Sequence, residues 1–189
     1  MRVISGKAKG TKINSIESTE TRPTLDRVKE SLFNIIQNDI KDTLVLDLFS
    51  GSGAIGIEFL SRGAQKAYFC ENNYNAVKVI EQNLEKTNLK EKAVVIENDY
   101  KKVLKKLNVL NLKFDYIYID PPFQKNIATV AIKELLKNEL LKDDGIVILE
   151  TDEKERELME LKNIDIEIYD IRKYGRISLI FLKKVKLSS

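Results

Sequence analysis

Short apolar runs bounded by turn residues recur along most of the chain. Each run is four to six residues long, which is typical of a strand that is buried on both faces of a sheet. The runs therefore predict five buried strands, at residues 43–48, 66–70, 93–97, 116–119 and 145–150.

The segments between these runs have helical periodicity. In the clearest of them, mostly apolar side chains recur at offsets of three, four, seven and eight residues, which places them on one face of a helix. The alternation of strand and helix favours a parallel sheet with helices on both faces and right-handed crossovers. The stripe that predicts the clearest helix consists of Ala76, Val79, Ile80, Asn83 and Leu84.

The C-terminal part of the chain departs from this alternation. A helix predicted over residues 152–160 is followed by apolar runs at 164–174 and 177–184, with a turn at Gly175 between them. Two strands joined by so short a turn must be antiparallel. The predicted fold class is therefore α/β, with a mostly parallel seven-stranded sheet whose last strand is antiparallel.

The N-terminal part precedes the first strand of that sheet. It contains a short basic segment and a helix predicted over residues 26–38, with Thr24 as the predicted N-cap. We therefore expect residues 1–42 to form a basic hairpin and a helix that pack on the main domain, residues 43–186.

The composition narrows the classes of function. The chain has 189 residues, enough for one domain, and no run approaches the roughly 20 apolar residues that span a membrane. We therefore expect a cytoplasmic protein that is not bound to a membrane. Because there is no histidine and Cys70 is the one cysteine, we expect neither a disulfide nor a metal site.

The basic residues are concentrated at the two ends. Residues 1–16 carry four basic side chains and no acid, and residues 172–186 carry six and no acid, although the net charge is only +3. The middle of the chain is therefore acidic. This asymmetry is expected of a protein that binds a polyanion with its ends, although lysines that merely aid solubility would give the same pattern.

A glycine-rich segment follows the first predicted strand. Gly51, Gly53 and Gly56 match the dinucleotide-binding fingerprint, and Glu71 ends the second strand where an acid that binds ribose would lie. These residues do not by themselves separate a nicotinamide enzyme from a methyltransferase. Glycines that serve only a tight turn are a third interpretation.

Two acidic positions favour a cationic ligand. Asp47 precedes the glycine segment, where its charge would repel a pyrophosphate and attract a sulfonium or ammonium group. Asn98 and Asp99 end the third strand, at the edge where an open parallel sheet binds its ligands. Asp99 can accept a hydrogen bond from an adenine amino group, or it can cap the helix that follows.

The tetrapeptide Asp120-Pro121-Pro122-Phe123 follows the fourth strand. Two prolines stiffen the backbone and lack N–H donors, so their carbonyl oxygens are available as acceptors. The Asp120 carboxylate and the Pro121 carbonyl can accept both protons of a planar exocyclic amine, which localises the nitrogen lone pair. Phe123 can stack on the base, and Asp120 can stabilise the cation that methylation produces. An ordinary turn is the alternative.

From residue 43 to residue 186 the chain resembles class I methyltransferases that use S-adenosylmethionine (SAM) and release S-adenosylhomocysteine (SAH). The resemblance implies a Rossmann-like sheet in which the glycine segment and Asp47 hold the methionine part, Glu71 binds the ribose, and Asn98 and Asp99 contact the adenine. The cofactor-binding residues that it implies within the sheet are Asp47, Phe49, Gly51, Ser52, Gly53, Glu71, Asn72, Asn98 and Asp99.

The tetrapeptide resembles that of amino-methyltransferases acting on DNA adenine, RNA guanine or adenine and, as an Asn-Pro-Pro variant, protein glutamine. Here the tetrapeptide begins with Asp and is preceded in the chain by the motif Asp-x-Phe-x-Gly-x-Gly. This combination is most similar to the RsmD family, whose members methylate the exocyclic amine of one guanine in small-subunit ribosomal RNA. The resemblance implies a catalytic set of Asp120, Pro121, Pro122 and Phe123.

Residues 2–10 and 21–34 resemble the two N-terminal signatures of the same family. The resemblance implies that the first is a basic hairpin contacting RNA and that Arg22 and Thr24 lie beside the cofactor and the target base. From the residues alone, Arg22 precedes a proline and is expected to be extended. Ala8 stands where relatives often carry an aromatic residue, which removes one stacking group.

The predicted RNA-binding surface combines both ends of the chain. Because the sixth strand should run parallel to the first five, its basic end should emerge at the edge that carries the cofactor loops. Tyr174 there either contacts a base or is a half-exposed hairpin aromatic. The expected partner is small-subunit rRNA or the assembling small subunit, bound by a monomer. The predicted contacts are Arg2, Lys7, Lys9, Lys12, Lys173, Tyr174 and Arg176.

Three other functions share some of these features. An amino-methyltransferase of another target, adenine or glutamine, would use the same tetrapeptide. A nicotinamide-dependent reductase would share the glycine fingerprint, and an RNA-binding scaffold would need only the fold and the basic ends.

Overall fold

The computed structural model describes residues 1–16, 22–122 and 126–186, and for residues 22–25 it describes the backbone alone. The chain divides into two compact units, Met1–Tyr100 and Lys101–Ser189. The strands are β1 (Leu44–Asp47), β2 (Lys66–Glu71), β3 (Ala93–Glu97), β4 (Phe114–Ile119), β5 (Leu141–Thr151), β6 (Ile166–Tyr174) and β7 (Ile177–Lys184). The α-helices are α1 (Arg22–Ile36), α2 (Ala54–Ser61), α3 (Tyr74–Lys86), α4 (Tyr100–Val109), α5 (Ile127–Lys137) and α6 (Lys154–Leu161).

The first unit contains three parallel strands in the order β3-β2-β1. At their carboxyl ends Asp47 of β1 lies opposite Phe69 of β2, and Glu71 of β2 lies opposite Glu97 of β3. Parallel pairing therefore brings the polar ends of all three strands to the same edge, which is where an open α/β sheet binds ligands.

Helices of the first unit pack through large aromatic side chains. Phe33 of α1 and Phe59 of α2 meet edge to face, with 4.8 Å between ring centroids, and both are fully buried, as is Phe69 of β2. Burial of a side chain of this size contributes about 1.5–3 kcal/mol. The predicted stripe on α3 is confirmed: Ala76, Ile80, Asn83 and Leu84 are buried and Val79 is half-buried.

The second unit contains four strands in the order β4-β5-β7-β6. β5 runs parallel to β4 and antiparallel to β7, and β7 is antiparallel to β6. Thus β7 is the reversed strand, whereas β6 has the direction of β4 and β5. The predicted seven-stranded, mostly parallel sheet with an antiparallel last strand is confirmed.

Several predicted element boundaries were wrong. β4 starts two residues before its predicted start, and β5 starts four residues before its own. The start of β5 was missed because the exposed polar residues 142–144 carry no apolar pattern. β6 begins at Ile166 rather than at residue 164, and α6 ends at Leu161. None of the helices in the described segments is long and apolar enough to cross a membrane.

The start of α1 also corrects two predictions. The helix begins at Arg22 and ends at Ile36, with a 3-10 turn over Gln37–Asp39. Thr24 therefore lies inside the first turn and is not the N-cap, and Arg22 is helical rather than extended. Pro23 is compatible with this position because the first N–H groups of a helix have no partner within the helix.

Candidate functional site

The glycine-rich segment forms a tight turn from β1 into α2. Gly51 and Gly53 have φ values of 54° and 78°, a conformation that is costly for residues with a Cβ atom. The N–H of Gly53, which immediately precedes α2, donates to Ser50 O at 2.7 Å. At Gly56 an added Cβ would lie 2.3 Å from Cε1 of Phe69, so this glycine allows α2 to pack closely on β2.

The carboxylate of Glu71 is bound to this turn. Its Oε2 accepts a hydrogen bond from Gly51 N at 2.9 Å, and its Oε1 accepts from Asn72 N and Asn73 N, both at 2.9 Å. A carboxylate has about four acceptor positions. Three are used here by the backbone, so one remains for a hydroxyl group of a ligand on this half-exposed side chain.

Asp47 ends β1 beneath the same turn and is 1% exposed. Its Oδ2 accepts from Gly56 N at 3.3 Å. Burial raises the pKa of the Asp47 carboxyl to about 7; the hydrogen bond from Gly56 lowers this pKa in part, and the charge of Glu71 raises it. A buried carboxylate of this kind is stabilised by a cationic group that binds beside it.

Cys70, one residue before Glu71, is a packing residue. It is 1% exposed, and burial raises the pKa of its thiol above the usual range. A thiol in this state is not a nucleophile. In the part of the chain that the structure describes, no cluster of three or more histidine, cysteine or carboxylate side chains is arranged to hold a metal ion.

The carboxyl end of β3 provides exposed polar groups. Asn98 and Asp99 are exposed, and the backbone of Asn98 is joined to β2 by a hydrogen bond from its N–H to Glu71 O at 3.1 Å. The ring of Phe49 packs against that of Tyr100, with 5.2 Å between centroids. Tyr100 was not singled out from the sequence, although it immediately follows Asp99.

The first residues of the chain form a hairpin. Val3 N donates to Thr11 O at 3.0 Å and Gly10 N donates to Val3 O at 2.9 Å. Val3 and Ile13 are buried, and Ala8 is only 6% exposed. The N–H of Ala8 donates a hydrogen bond to Ser61 Oγ at 3.0 Å. Position 8 therefore faces the protein. The predicted RNA-binding residues of this hairpin, Arg2, Lys7, Lys9 and Lys12, are all exposed.

In the second unit, β4 leads into the tetrapeptide. Asp120 and Pro122 are exposed and Pro121 is half-buried. Phe123 lies outside the described residues. The accessible side chain of Asp120 and the adjacent proline backbone are suited to accept hydrogen bonds from a planar amine.

The turn between β6 and β7 carries the other predicted basic residues. Tyr174 pairs with Ile177, and Gly175 has a φ of 62°, so two residues make the turn. Lys173 and Arg176 are exposed and Tyr174 is half-buried. Tyr174 thus has both a buried and an accessible part.

Comparison with other proteins decides the family. A family model described as "Conserved hypothetical protein 95" matches residues 1–183. The Bacillus subtilis protein YlbH, named as a candidate rRNA methyltransferase, is 35% identical over 184 residues, which is 97% of this chain and 99% of that protein. Ribosomal RNA small subunit methyltransferase D of Haemophilus influenzae is 35% identical over 163 residues, 86% of this chain and 84% of its own. The chain belongs to the RsmD family.

The structure agrees with membership of the RsmD family. A solved Escherichia coli structure, that of a candidate methyltransferase named yhhF, matches with a TM-score of 0.80 at 25% identity and covers 98% of this chain and 99% of that one. The fold is that of class I methyltransferases.

In this RsmD-family chain the structure brings the predicted cofactor residues of the first unit to one region. Asp47, Glu71 and Asn98 end neighbouring strands, and the backbone of the glycine turn bonds to two of them. The side chains of Arg22 and Thr24 lie outside the described part. That these residues bind a cofactor stays a prediction.

Glu58 is a buried residue that sequence reasoning missed. It is fully buried in α2 and accepts hydrogen bonds from Ile4 N at 2.9 Å and Ser5 N at 3.0 Å, which fastens the hairpin to α2. Two basic side chains pair with its carboxylate: Lys29 Nζ lies 3.4 Å from Oε2, and Arg62 Nε lies 2.8 Å from Oε1. Burial lowers the pKa of Lys29, and Glu58 partly offsets this effect. One acid in an otherwise apolar helix was the available signal.

Asn83 is the second residue that was missed, since its place in the apolar stripe of α3 was interpreted only as packing. It is fully buried. Its Oδ1 accepts from Asn14 N at 2.7 Å, and its Nδ2 donates to Asn14 O and to Ser52 O, both at 2.9 Å. A buried polar residue within an apolar stripe was the signal, because such groups are normally hydrogen-bonded.

Proposed function

We propose that this chain transfers a methyl group from SAM to the exocyclic N2 amine of a specific guanine in small-subunit rRNA. The observation that carries the proposal is the buried carboxyl of Asp47 beneath a glycine turn in a chain of the RsmD family. Such a carboxyl favours a cationic ligand and opposes a pyrophosphate. The H. influenzae relative is named as a methyltransferase of small-subunit rRNA.

The residues of the first unit fit SAM by their chemistry. The cofactor, when bound, supplies an electrophilic methyl group on a sulfonium and leaves as SAH. We propose that Asp47 and the turn at Gly51 and Gly53 hold its cationic methionine part. The remaining acceptor position of Glu71 would take a ribose hydroxyl, and the exposed Asn98 and Asp99 would contact the adenine. Phe49, Ser52, Asn72, Arg22 and Thr24 complete the proposed set.

The tetrapeptide would prepare the acceptor nitrogen. Its lone pair is delocalised into the guanine ring, so the free amine is a poor nucleophile. Accepting its two N–H groups with Asp120 and the Pro121 carbonyl would localise the lone pair on nitrogen, while Pro122 keeps the backbone rigid and Phe123 stacks on the base. The carboxylate of Asp120 would then stabilise the positive charge on nitrogen until the extra proton leaves.

RNA binding is proposed for the exposed basic residues. Arg2, Lys7, Lys9 and Lys12 on the hairpin, and Lys173 and Arg176 beside Tyr174, would neutralise phosphates of rRNA or of an assembling subunit. We propose that the protein acts as a monomer, because each proposed contact comes from one chain.

The test is a transfer assay with a labelled methyl donor. The purified chain is incubated with labelled SAM and with small subunits that lack the modification, and the digested rRNA is separated into nucleosides. A single labelled N2-methylguanosine is expected with the native chain, and a rate of labelling about 1000-fold lower with Asp120→Ala. Label in another nucleoside, or only in DNA or protein, would contradict the proposal.

Binding separates the cofactor proposal from a nicotinamide enzyme. In a thermal-shift comparison, SAH is expected to raise the melting temperature and NAD is not. An increase with NAD alone would contradict the assignment of the glycine turn to SAM.

A further inference from the structure

Tyr74 is the first residue of α3 and, at 57% exposure, the most exposed aromatic side chain in the described part of the chain. It comes three residues after Glu71, whose carboxylate accepts hydrogen bonds from the N–H groups of Asn72 and Asn73. The ring therefore lies at the edge of the sheet that carries the proposed cofactor residues. Single exposed apolar residues are common, so the surroundings of the ring decide whether it serves a ligand.

A cation accompanies the ring. The ammonium group of Lys78 lies over Tyr74, with 4.2 Å between Nζ and the ring centroid. This contact favours one orientation of the ring, and the exposed part of the ring leaves space for a flat partner. Proteins that bind single-stranded nucleic acids combine the same two groups: aromatic rings stack on the bases, and cations bind the phosphates.

The face of α3 that carries this pair continues to the hairpin. Three exposed side chains follow Tyr74 at intervals of four residues: Lys78, Gln82 and Lys86. Side chains at this interval form a continuous ridge, which is about 18 Å long because a helix rises about 1.5 Å per residue. At the far end, Asn14 of the hairpin donates from Nδ2 to Gln82 Oε1 at 3.1 Å and accepts from Lys86 Nζ. The ridge therefore connects the hairpin with the cofactor edge.

The ridge is positively charged although α3 also contains acids. Glu81 and Glu85 both pair with Lys90, with 3.7 Å between Glu85 Oε1 and Lys90 Nζ, so their charges are partly neutralised. Among the described residues, neither Lys78 nor Lys86 has an acidic partner. Both ammonium groups are exposed and available for phosphates.

We propose that the ridge formed by Tyr74, Lys78, Gln82 and Lys86 binds an unpaired segment of the RNA substrate. One base of this segment stacks on the ring of Tyr74, and phosphates lie beside the two lysines. Bases in a duplex are already stacked on their neighbours, so only an unpaired base can stack on a side chain. The inference rests on the proposed function, because that function makes RNA the ligand.

Fluorescence anisotropy with labelled single-stranded oligoadenylate tests the stacked base. Tyr74→Ala should bind it about 5- to 150-fold more weakly than the native chain, the range for one base stacked on an aromatic ring. Tyr74→Phe keeps a ring and should bind like the native chain. The matched control is Tyr169→Ala, since Tyr169 is also exposed and Lys183 Nζ also lies 4.2 Å from its ring centroid. The control should keep the native affinity.

Two further measurements separate stacking from charge. Lys78→Gln should reduce the slope of log affinity against log salt by about 0.7, whereas Tyr74→Ala should leave this slope unchanged. When the oligoadenylate is paired with oligouridylate, the native chain and Tyr74→Ala should bind the duplex equally. Because Tyr74 is exposed, its variants should keep the native melting temperature and the native affinity for SAH.

Each of the following results would overturn the inference: no binding of oligoadenylate by the native chain, equal binding by Tyr74→Ala, an equal loss with the duplex, or Tyr74→Phe as weak as Tyr74→Ala. A loss of SAH affinity without a loss of RNA affinity would assign the ring to the cofactor instead. An effect of Tyr74→Ala that is confined to transfer onto assembled subunits would indicate a protein contact and would also overturn the inference.

These binding measurements need neither SAM nor methyl transfer, so they separate the inference from the proposed function. Unchanged binding by Tyr74→Ala together with successful rRNA labelling rejects only the ridge. A loss of affinity in Tyr74→Ala without formation of N2-methylguanosine by the native chain rejects only the proposed function.

Discussion

The side-chain amide of Asn83 donates a hydrogen bond to the carbonyl oxygen of Ser52 at 2.9 Å. The same side chain makes two more hydrogen bonds, with the backbone N–H and C=O of Asn14. One buried residue of α3 therefore connects the end of the basic hairpin with the glycine turn. Because Asn83 is fully buried and Asn14 and Ser52 are half-buried, losing any of these bonds leaves a partly buried polar atom without its protein partner.

Asn83→Leu should destabilise the protein and weaken SAH binding together. Leucine has a similarly branched but larger side chain and leaves three backbone groups without their hydrogen-bond partner, for which we expect a loss of about 2–4 kcal/mol in the free energy of unfolding. Urea unfolding measures the stability and titration calorimetry measures the SAH affinity. Asn75→Leu, at an exposed position of α3, is the control and should change stability by less than about 0.5 kcal/mol. Unchanged SAH affinity in Asn83→Leu would show that the connection does not support the glycine turn.

Strands buried on both faces are predicted well from short apolar runs, and β1, β2 and β4 are mostly buried as expected. The prediction that β3 is buried was wrong: it is an edge strand of half-buried and exposed residues. The sequence predicted β7 at its observed boundaries, Ile177–Lys184, since a turn glycine precedes it and basic residues end it. It failed at the start of β5, where Leu141 pairs with Phe114 but a register shift follows, and regular pairing resumes only at Ile146. The exposed polar residues 142–144 lie within this shift, and they carry no apolar pattern from which a strand could be predicted.

For the candidate site, the sequence predicted which residues lie at the carboxyl ends of strands, but not how they are connected. The hydrogen bonds of Glu71 to Gly51 N and of Glu58 to Ile4 N join residues that are 20 and 54 positions apart. Such contacts depend on how helices and strands pack, and no local spacing encodes them. In the sequence, such a contact is indicated only by a polar residue within an apolar stretch, because a buried polar group needs a hydrogen-bond partner.

Gly56→Ala should destabilise the first unit through one steric conflict. The new Cβ would lie 2.3 Å from Cε1 of the buried Phe69, so helix and strand must separate, at an expected cost of about 1–3 kcal/mol. Phe69→Leu in the same chain should recover part of that loss, and thermal unfolding of the single and double variants measures the coupling. Gly10 also has a positive φ, of +86°, but a Cβ atom added there would have no other atom within 4 Å. Gly10→Ala should therefore show backbone strain alone, with no recovery from Phe69→Leu. Strictly additive effects of Gly56→Ala and Phe69→Leu would contradict the proposed conflict.

The buried carboxyl of Asp47 should make stability depend on pH. Its pKa is raised from 3.8 to about 7 by burial, so between these values the unfolded chain is ionised while the folded chain keeps the proton. Stability from this group is therefore present below about pH 4 and is lost as the pH rises towards 7, by roughly 1.4 kcal/mol per pH unit. Relative to Asp47→Asn, the native chain should lose stability over this window, as measured by urea unfolding at several pH values. A difference that does not vary with pH between 4 and 7 would rule out the raised pKa.

The hairpin lysines should control how RNA binding responds to salt. Lys7 and Lys9 are exposed, and each phosphate-binding lysine that is removed should reduce the slope of log affinity against log salt by about 0.7–0.9, so the loss of both should reduce it by about 1.4–1.8. Fluorescence anisotropy with a small-subunit rRNA fragment, over a range of KCl concentrations, measures this slope for Lys7→Ala/Lys9→Ala. Lys41→Ala, also exposed but outside the proposed RNA surface, should leave the slope unchanged. Equal slopes for all three proteins would exclude the hairpin as a phosphate-binding element.

Two substitutions of Asp120 separate its two proposed roles. Asn keeps a carbonyl oxygen that can accept an amine proton but has no charge, whereas Ala has neither. If both roles matter, kcat should fall by about 10- to 100-fold in Asp120→Asn and by about 1000-fold in Asp120→Ala. Because the side chain is exposed, stability and SAH affinity should stay near native values, and single-turnover transfer to rRNA gives the rates. Equal rates for Asn and native Asp would mean that the charge contributes nothing and that hydrogen bonding alone activates the nitrogen. Equal rates for Asn and Ala would assign the whole effect to the charge.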